Sequence, residues 1–386
     1  MAHNLAAAFV EENHSETLEL LKTLTAIPAP TGMEEKRAAF ILDWLKKEGA
    51  DSAYIDSVGN VVFPYPAADL EKYAVVMAHM DTVFPETDPI EVKEDILNLY
   101  APGIGDDTGN LVNMLMTIRF FLRHPEIQVD TPVLFVADVC EEGFGNLKGC
   151  RQIFSDYEGR IKSFISFDLY LDTIVERAVG SKRFRVEART KGGHSLQNFG
   201  NKSAIKVLSD LIQKLYDVKL PIIGKTVYNV GTISGGTSVN SIPECAELTY
   251  EIRSDMPDNL EYMEKYFISC VEKLRFFDVS VEIELLGERP CGIENESAEA
   301  KYFCNTFEYI LSRSAQEQIH IMSGSTDANI PLSLGIPAVT FGTVMGGGIH
   351  TQKEWISKES MKTGQLTAIV AVSRFFDVPE PVITGA

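Results

Sequence analysis

Five short segments of this chain set metal-ligating or proton-transferring side chains beside glycines or at the ends of apolar runs: AHMDTV, PGIGDDTGN, VCEEG, FISFDLY and GGGIHTQKEW. In the first, His79 and Asp81 are two residues apart, so on a strand they project the same way. A metal-bound imidazole needs its second ring nitrogen held, commonly by a carboxylate, and Asp81 is placed for that; a solvated polar strand end is an equal reading. In the second, the glycines let the backbone approach a ligand closely, and a carboxylate of the adjacent pair Asp106 and Asp107 could bridge two cations. An aspartate just before a helix is also among the best N-caps. In the third, Glu141 and Glu142 follow an apolar strand. Adjacent carboxylates there repel unless a cation lies between them; with one, one glutamate ligates and the other is free as general base. A charged loop is the commoner fate of such a pair. Asp168 closes another apolar strand, where acids of α/β sheets often line a ligand crevice, with capping and solvation as alternatives. His350 follows three glycines, which suggests a loop lying close to something, although a lone histidine is more often structural.

The elements that must hold these residues alternate. Apolar spacing predicts a helix from Asn13 to about Leu24 and a second from about Glu34 to Lys47. YIDSVGNVVFPYP, YAVVMAH, TPVLFVADV and IKSFISFDL read as strands, with the helix LVNMLMTIRFFL between the second and third. This alternation predicts an α/β domain with a largely parallel sheet. Near residue 180 the pattern becomes β-α-β-β-α-β, complete between about 181 and 288, the order of a ferredoxin-like unit. The α/β pattern then resumes with a helix near Ala298 to Ser312, the strand IPAVTFG and a closing helix near Ser360 to Phe376. The expected organisation is one α/β domain in two pieces, residues 1–180 and 289–386, interrupted by an α+β domain at 181–288.

The composition of the 386 residues, 45% hydrophobic and 23% charged, is that of a globular protein, and the length suggests two domains. A net charge of -20 disfavours nucleic acid and anionic membranes as partners. Six scattered cysteines without a CxxC pair read as reduced thiols, the N-terminal segment carries no basic n-region, and no stretch approaches transmembrane length. These features together predict a cytoplasmic protein.

The segments AHMDTV, GIGDDTG, CEEGFGN, SFDLY and GGGIHT, in this order, resemble those of the zinc-dependent exopeptidases and amidohydrolases that include peptidase T, glutamate carboxypeptidase, succinyl-diaminopimelate desuccinylase and aminoacylase. The resemblance spans nearly the whole chain and implies a zinc-exopeptidase-like catalytic domain with an inserted dimerisation (lid) domain. It implies two zinc ions, with cobalt or manganese as possible occupants. His79 and Asp168 would bind one, Glu142 and His350 the other; Asp106 would bridge them, with Asp81 behind His79. Glu141 would take a proton from the attacking water and pass it to the leaving amine. In TKGGHSLQ, His194 would reach the partner subunit's site in a homodimer and stabilise the oxyanion; a turn histidine is the plain alternative. Asn240 in NSIP and Arg253 in YEIRSDMP match positions that hold the substrate carboxylate, which arginine can fork. Arg289 in GERPCG is a weaker match, equally read as a surface ion pair, and Asp327 in SGSTDAN has no assigned role. The chain departs from the pattern at Thr108, where many relatives have lysine, and at Cys140, where they often have aspartate. Beside two acids, a Cys140 thiolate is disfavoured, so it is not expected to be a nucleophile.

The expected activity is hydrolysis of short peptides by an aminopeptidase, dipeptidase or tripeptidase. N-acyl-amino-acid deacylation or desuccinylation is the rival, and a non-catalytic interaction module a remote third.

Overall fold

The segment YAVVMAH forms the strand Tyr73–His79, buried along its whole length, as a strand covered on both faces should be. In this computed structural model, which describes residues 2–314 and 318–377, that strand lies inside an eight-stranded sheet. Val133–Asp138 and Ile161–Phe167 flank it in parallel, and Ala338–Phe341 runs parallel to the latter. These four strands form the parallel centre of the sheet. Val61–Tyr65 and Thr173–Ala178 add antiparallel margins, so the sheet is mixed. Side chains alternate between two apolar layers. Ala74, Val76 and Ala78 join the larger cluster, which includes residues of the helices Ala2–Ala26, Asn110–Arg123 and Lys358–Val372. Val75 and Met77 join a smaller one with Cys150, Ile153 and Phe164.

Several elements differ from expectation. The first helix begins at Ala2, because the alanine-rich start of the chain continues the helix that spacing alone placed at Asn13. YIDSVGNVVFPYP is a hairpin, Tyr54–Ile55 against Val61–Tyr65. Asp56 turns the chain by accepting the backbone N–H groups of Val58, Gly59 and Asn60, a local bond that competes with strand pairing.

The chain divides into two compact units, Met1–Arg177 with Glu294–Ala386, and Ala178–Ile293. These bounds lie a few residues outside the expected ones. The entering and leaving segments stay together past their strands: Gly292 N–H donates to Ala178 O at 3.3 Å. The second unit is an antiparallel four-stranded sheet in the order Thr226–Gly235, Cys245–Ser254, Gly180–Thr190, Val279–Arg289. Its core joins Phe184, Leu248, Tyr250 and Ile252 to residues of the helices Ala204–Tyr216 and Pro257–Glu272. This is the ferredoxin-like β-α-β-β-α-β arrangement.

Candidate metal centre

The strand Tyr73–His79 delivers His79, the strand Val133–Asp138 leads into Glu141 and Glu142, and Ile161–Phe167 leads into Asp168. All four side chains emerge where parallel strands end, the usual crevice of an open α/β sheet. Asp106 arrives on the glycine-flanked segment Ile104–Gly109 that opens the helix Asn110–Arg123. His350 sits in the loop between the short strands Gly346–Gly347 and Trp355–Ser357, with φ of 61°.

Asp106 is the meeting point. Its Oδ1 is 3.1 Å from His79 Nε2 and its Oδ2 is 3.1 Å from His350 Nε2. His350 Nε2 also lies 2.8 Å from Glu142 Oε1. Ligand atoms of His79, Asp106 and Asp168 all fall within 4.8 Å of one another, as do those of Asp106, Glu142 and His350, and those of His79, Glu141 and Glu142. The first two clusters contain every expected ligand and share Asp106.

The charges fit a cation site. Burial pushes the Glu142 carboxyl up to about 7 despite its bond from His350, and Asp106 and Glu141 add repulsion. Burial, then the charge of Asp106, raises Asp168 well above the usual carboxylate range. Burial also opposes ionisation of Asp106, but the imidazoles of His350 and His79 outweigh it and hold the carboxyl low. Bonds to Asp106 and Glu142 lift His350 to about 10. Mixed imidazole and carboxylate donors around crowded, buried acids form a set that suits zinc and similar divalent ions.

Asp81 stands behind His79 and makes further bonds that the sequence did not suggest. His79 Nδ1 lies 3.0 Å from the main-chain oxygen of Asp81 and 3.5 Å from its Oδ1. The carboxylate also accepts the backbone N–H groups of Glu141 and Glu142, each at 3.0 Å, and the Thr31 hydroxyl at 2.8 Å. Cys140, just before them, has φ of 60°; its N–H donates to Glu34 Oε1 at 3.1 Å. Burial and the charge of Glu34 push its thiol up to about 12. Gly145 is required after the pair, because a Cβ there would lie 2.4 Å from Cys140 O. Thr108 donates its hydroxyl to Gly103 O and receives Arg37 Nη1 at 3.3 Å. Asp107 takes the backbone N–H of His79 at 3.0 Å. Nothing in the sequence marks Glu34, Arg37 or Asp107 for these bonds, because bonds to distant backbone leave no spacing signal.

The remaining expected residues lie in the second unit. His194 is exposed, and its Nδ1 accepts the N–H groups of Leu196 and Gln197 at 3.2 and 3.4 Å. That leaves Nε2 as the protonated nitrogen of the neutral ring. Asn240 is its neighbour through the pairing of Gly193–His194 with Ser241–Ile242. Arg253 and Arg289 both register with Ser181, at the other end of the strand Gly180–Thr190, about 30 Å away at ~3.3 Å per residue. Asn240 and Arg253 are therefore not brought together within this sheet. Asp327 is 1% exposed and its main-chain oxygen accepts from Cys150 Sγ, so its side chain is buried and not on an open substrate face.

Beside Glu142 lies a cavity of about 470 Å³ lined by Thr31, Val83, Cys140, Phe144 and Lys148 among others. No helix among the described residues is long and apolar enough to cross a membrane.

A sequence model of Peptidase family M20/M25/M40 matches residues 75–370. A succinyl-diaminopimelate desuccinylase from Corynebacterium glutamicum is 24% identical over 371 residues, 92% of this chain and 95% of that protein. A putative [LysW]-lysine/[LysW]-ornithine hydrolase from Pyrococcus abyssi is 35% identical over 139 residues, but the match takes in only 36% of each chain. Among solved structures, a tripeptidase from Staphylococcus aureus superposes with a TM-score of 0.71 at 23% identity, covering 93% of this chain and 98% of that one. A dinuclear metal-binding peptidase of the M20 family from Bacillus subtilis gives a TM-score of 0.62 at 15% identity over 94% and 98%. At these identities, the structural likeness concerns the fold.

Proposed function

Because the chain belongs to Peptidase family M20/M25/M40 and is a metallohydrolase, we propose that it cleaves the amide bond of short peptides with two zinc ions and Glu141 as general base. His79 and Asp168 would hold one ion, Glu142 and His350 the other, and Asp106 both. Cobalt or manganese would suit the same donors. Bound there, the ions would acidify water and polarise the scissile carbonyl. The observation that carries this reading is Asp106 lying 3.1 Å from both His79 and His350, so that residues from distant segments converge on one shared carboxylate.

Glu141 is the residue left for proton transfer. It is 4% exposed, and Asp81 fixes its backbone. It would accept the proton of the attacking water and return it to the leaving amine. His194 would offer its Nε2 proton to the developing oxyanion. In this reading the chain forms a homodimer in which His194, with Asn240 beside it, serves the partner's site, and Arg253 is the residue proposed to hold the substrate carboxylate. The cavity of about 470 Å³ beside Glu142 is of small-molecule size, which supports a short substrate. The six free cysteines support a cytoplasmic location.

Deacylation is the second reading, favoured by the match to the desuccinylase over 95% of that protein's length. The deciding experiment is amine release by zinc-loaded protein from matched short peptides and N-acyl amino acids. Faster peptide cleavage supports the peptidase; faster acyl-amino-acid cleavage moves the enzyme to the second reading. Release from neither overturns both.

A further inference from the structure

A fully buried carboxylate, that of Glu354, stands between the Asp106 segment and the His350 loop. Its Oε2 accepts the N–H of Gly103 at 2.8 Å, and its Oε1 accepts those of Gly105 at 2.9 Å and Asp106 at 2.7 Å. These amides lie in and just before the segment Ile104–Gly109, which departs from helical geometry at Asp106 (φ -111°, ψ 90°) ahead of the helix Asn110–Arg123, and buried backbone N–H groups need an acceptor. The side chain that fills this place comes from a loop at the far end of the chain.

That loop is itself anchored. Ala101 N–H donates to Glu354 O at 3.1 Å, and the strand Trp355–Ser357 pairs with Asn98–Tyr100. The fit leaves no slack: a Cβ on Gly105 would lie 3.0 Å from Glu354 Oε1 and 3.3 Å from the Tyr170 ring. His350 and Glu354 share one loop, so the side chain that pins the Asp106 backbone also fixes where His350 stands relative to Asp106. Those two residues belong to the same candidate cation cluster, with Glu142. The cluster of His79, Asp106 and Asp168 has no member on the loop.

We propose that Glu354 is a positioning residue that sets the spacing of Asp106 and His350, and so governs the cation held by Asp106, Glu142 and His350 more than the one held by His79, Asp106 and Asp168. This rests on the two-cation reading above. The test compares wild type, Glu354→Ala and Glu354→Gln as chelated full-length chains titrated with zinc by calorimetry. Zinc per chain is counted by elemental analysis, and thermal unfolding is followed in parallel. Wild type should bind two ions. Glu354→Ala should keep one near wild-type affinity and weaken the other about 100-fold, the upper range for loss of a group that orients ligands. Glu354→Gln retains a carbonyl acceptor for the Gly105 and Asp106 amides and should weaken it about 10-fold. If the alanine variant does not fold, the glutamine variant carries the comparison. Two ions at wild-type affinity, with only the unfolding temperature lowered, would make Glu354 a backbone anchor alone and overturn the proposal. Equal weakening of both sites would overturn it as well. A wild-type chain that binds fewer than two ions would instead remove the two-cation reading, and this proposal with it.

Discussion

Asp81 accepts the backbone N–H of Glu141 at 3.0 Å through Oδ1, while its Oδ2 receives the N–H of Glu142 at the same distance. One carboxylate thus orients both members of the acid pair through their main chain. Asp81→Ala leaves two buried amides without an acceptor and frees the turn. The expected outcome is a fall in kcat of about 10²-fold, the scale of a small misplacement of reacting groups, with KM changed less. Steady-state kinetics on the best substrate checks this. An unchanged kcat would remove the orienting role.

Glu141→Gln keeps the shape and removes the proton acceptor. Turnover should fall by about 10²–10⁴-fold, the usual share of general acid–base catalysis, while zinc content stays at the wild-type level. Elemental analysis beside a rate assay reads both. Full activity in the variant would place the base elsewhere.

Ligand protonation makes the metal-dependent stability sensitive to pH. In the chelated protein Glu142 is raised to about 7 and His350 to about 10. Both shifts are upward, so the folded state binds more protons than the unfolded one between the ordinary and raised values. Their contribution is fully present below the unfolded pKa and is lost as pH rises through about 7 for Glu142 and about 10 for His350. Zinc takes the deprotonated ligands, so its binding strengthens over the same range. The gap in Tm between zinc-loaded and chelated protein should widen from mildly acidic to alkaline pH. Differential scanning calorimetry across that range tests it, and a constant gap would contradict the assigned ligands.

Two inactive chains should rescue one another if His194 serves the partner's site. His194→Ala and Glu141→Gln protomers, unfolded and refolded together, would form mixed dimers in which one site has its own Glu141 and the partner's His194. Activity should return on mixing and be absent from either variant alone. No recovery in confirmed mixed dimers would confine His194 to a local role.

Cys140 is 6% exposed and its thiol is raised to about 12. A thiol-alkylating reagent at neutral pH should leave it unmodified in the folded protein and label it after denaturation, as peptide mass mapping would show. Labelling in the native state would mean that the turn before Glu141 opens.

The candidate ligands stood out in the sequence through the order of their segments and its resemblance to a known family, because each segment alone, an apolar strand ending in His79 or Asp168 or glycines before Asp106 or His350, also had a structural reading. The α/β frame and the inserted β-α-β-β-α-β unit were legible from period alone. The hairpin within YIDSVGNVVFPYP was not, since two short strands around a turn share the composition of one long strand. Nor were the backbone bonds made by Asp81 and Glu354. An acceptor of distant amides is chosen by where two segments cross, and neither residue type nor spacing records that. For the same reason Asn240 and Arg253 read as neighbours in function, while the register of Gly180–Thr190 puts them at opposite ends of a sheet.

The chain enters the second unit at Ala178 and leaves it past Cys291 through touching segments, Gly292 N–H bonding Ala178 O at 3.3 Å and Gly180 close enough that a Cβ would meet Cys291 N at 2.7 Å. An insertion whose two ends meet imposes almost no gap on its host. Residues 178–293 thus have the form of a cassette: a short linker from Arg177 to Glu294 would close the host chain, and the excised piece keeps its own core.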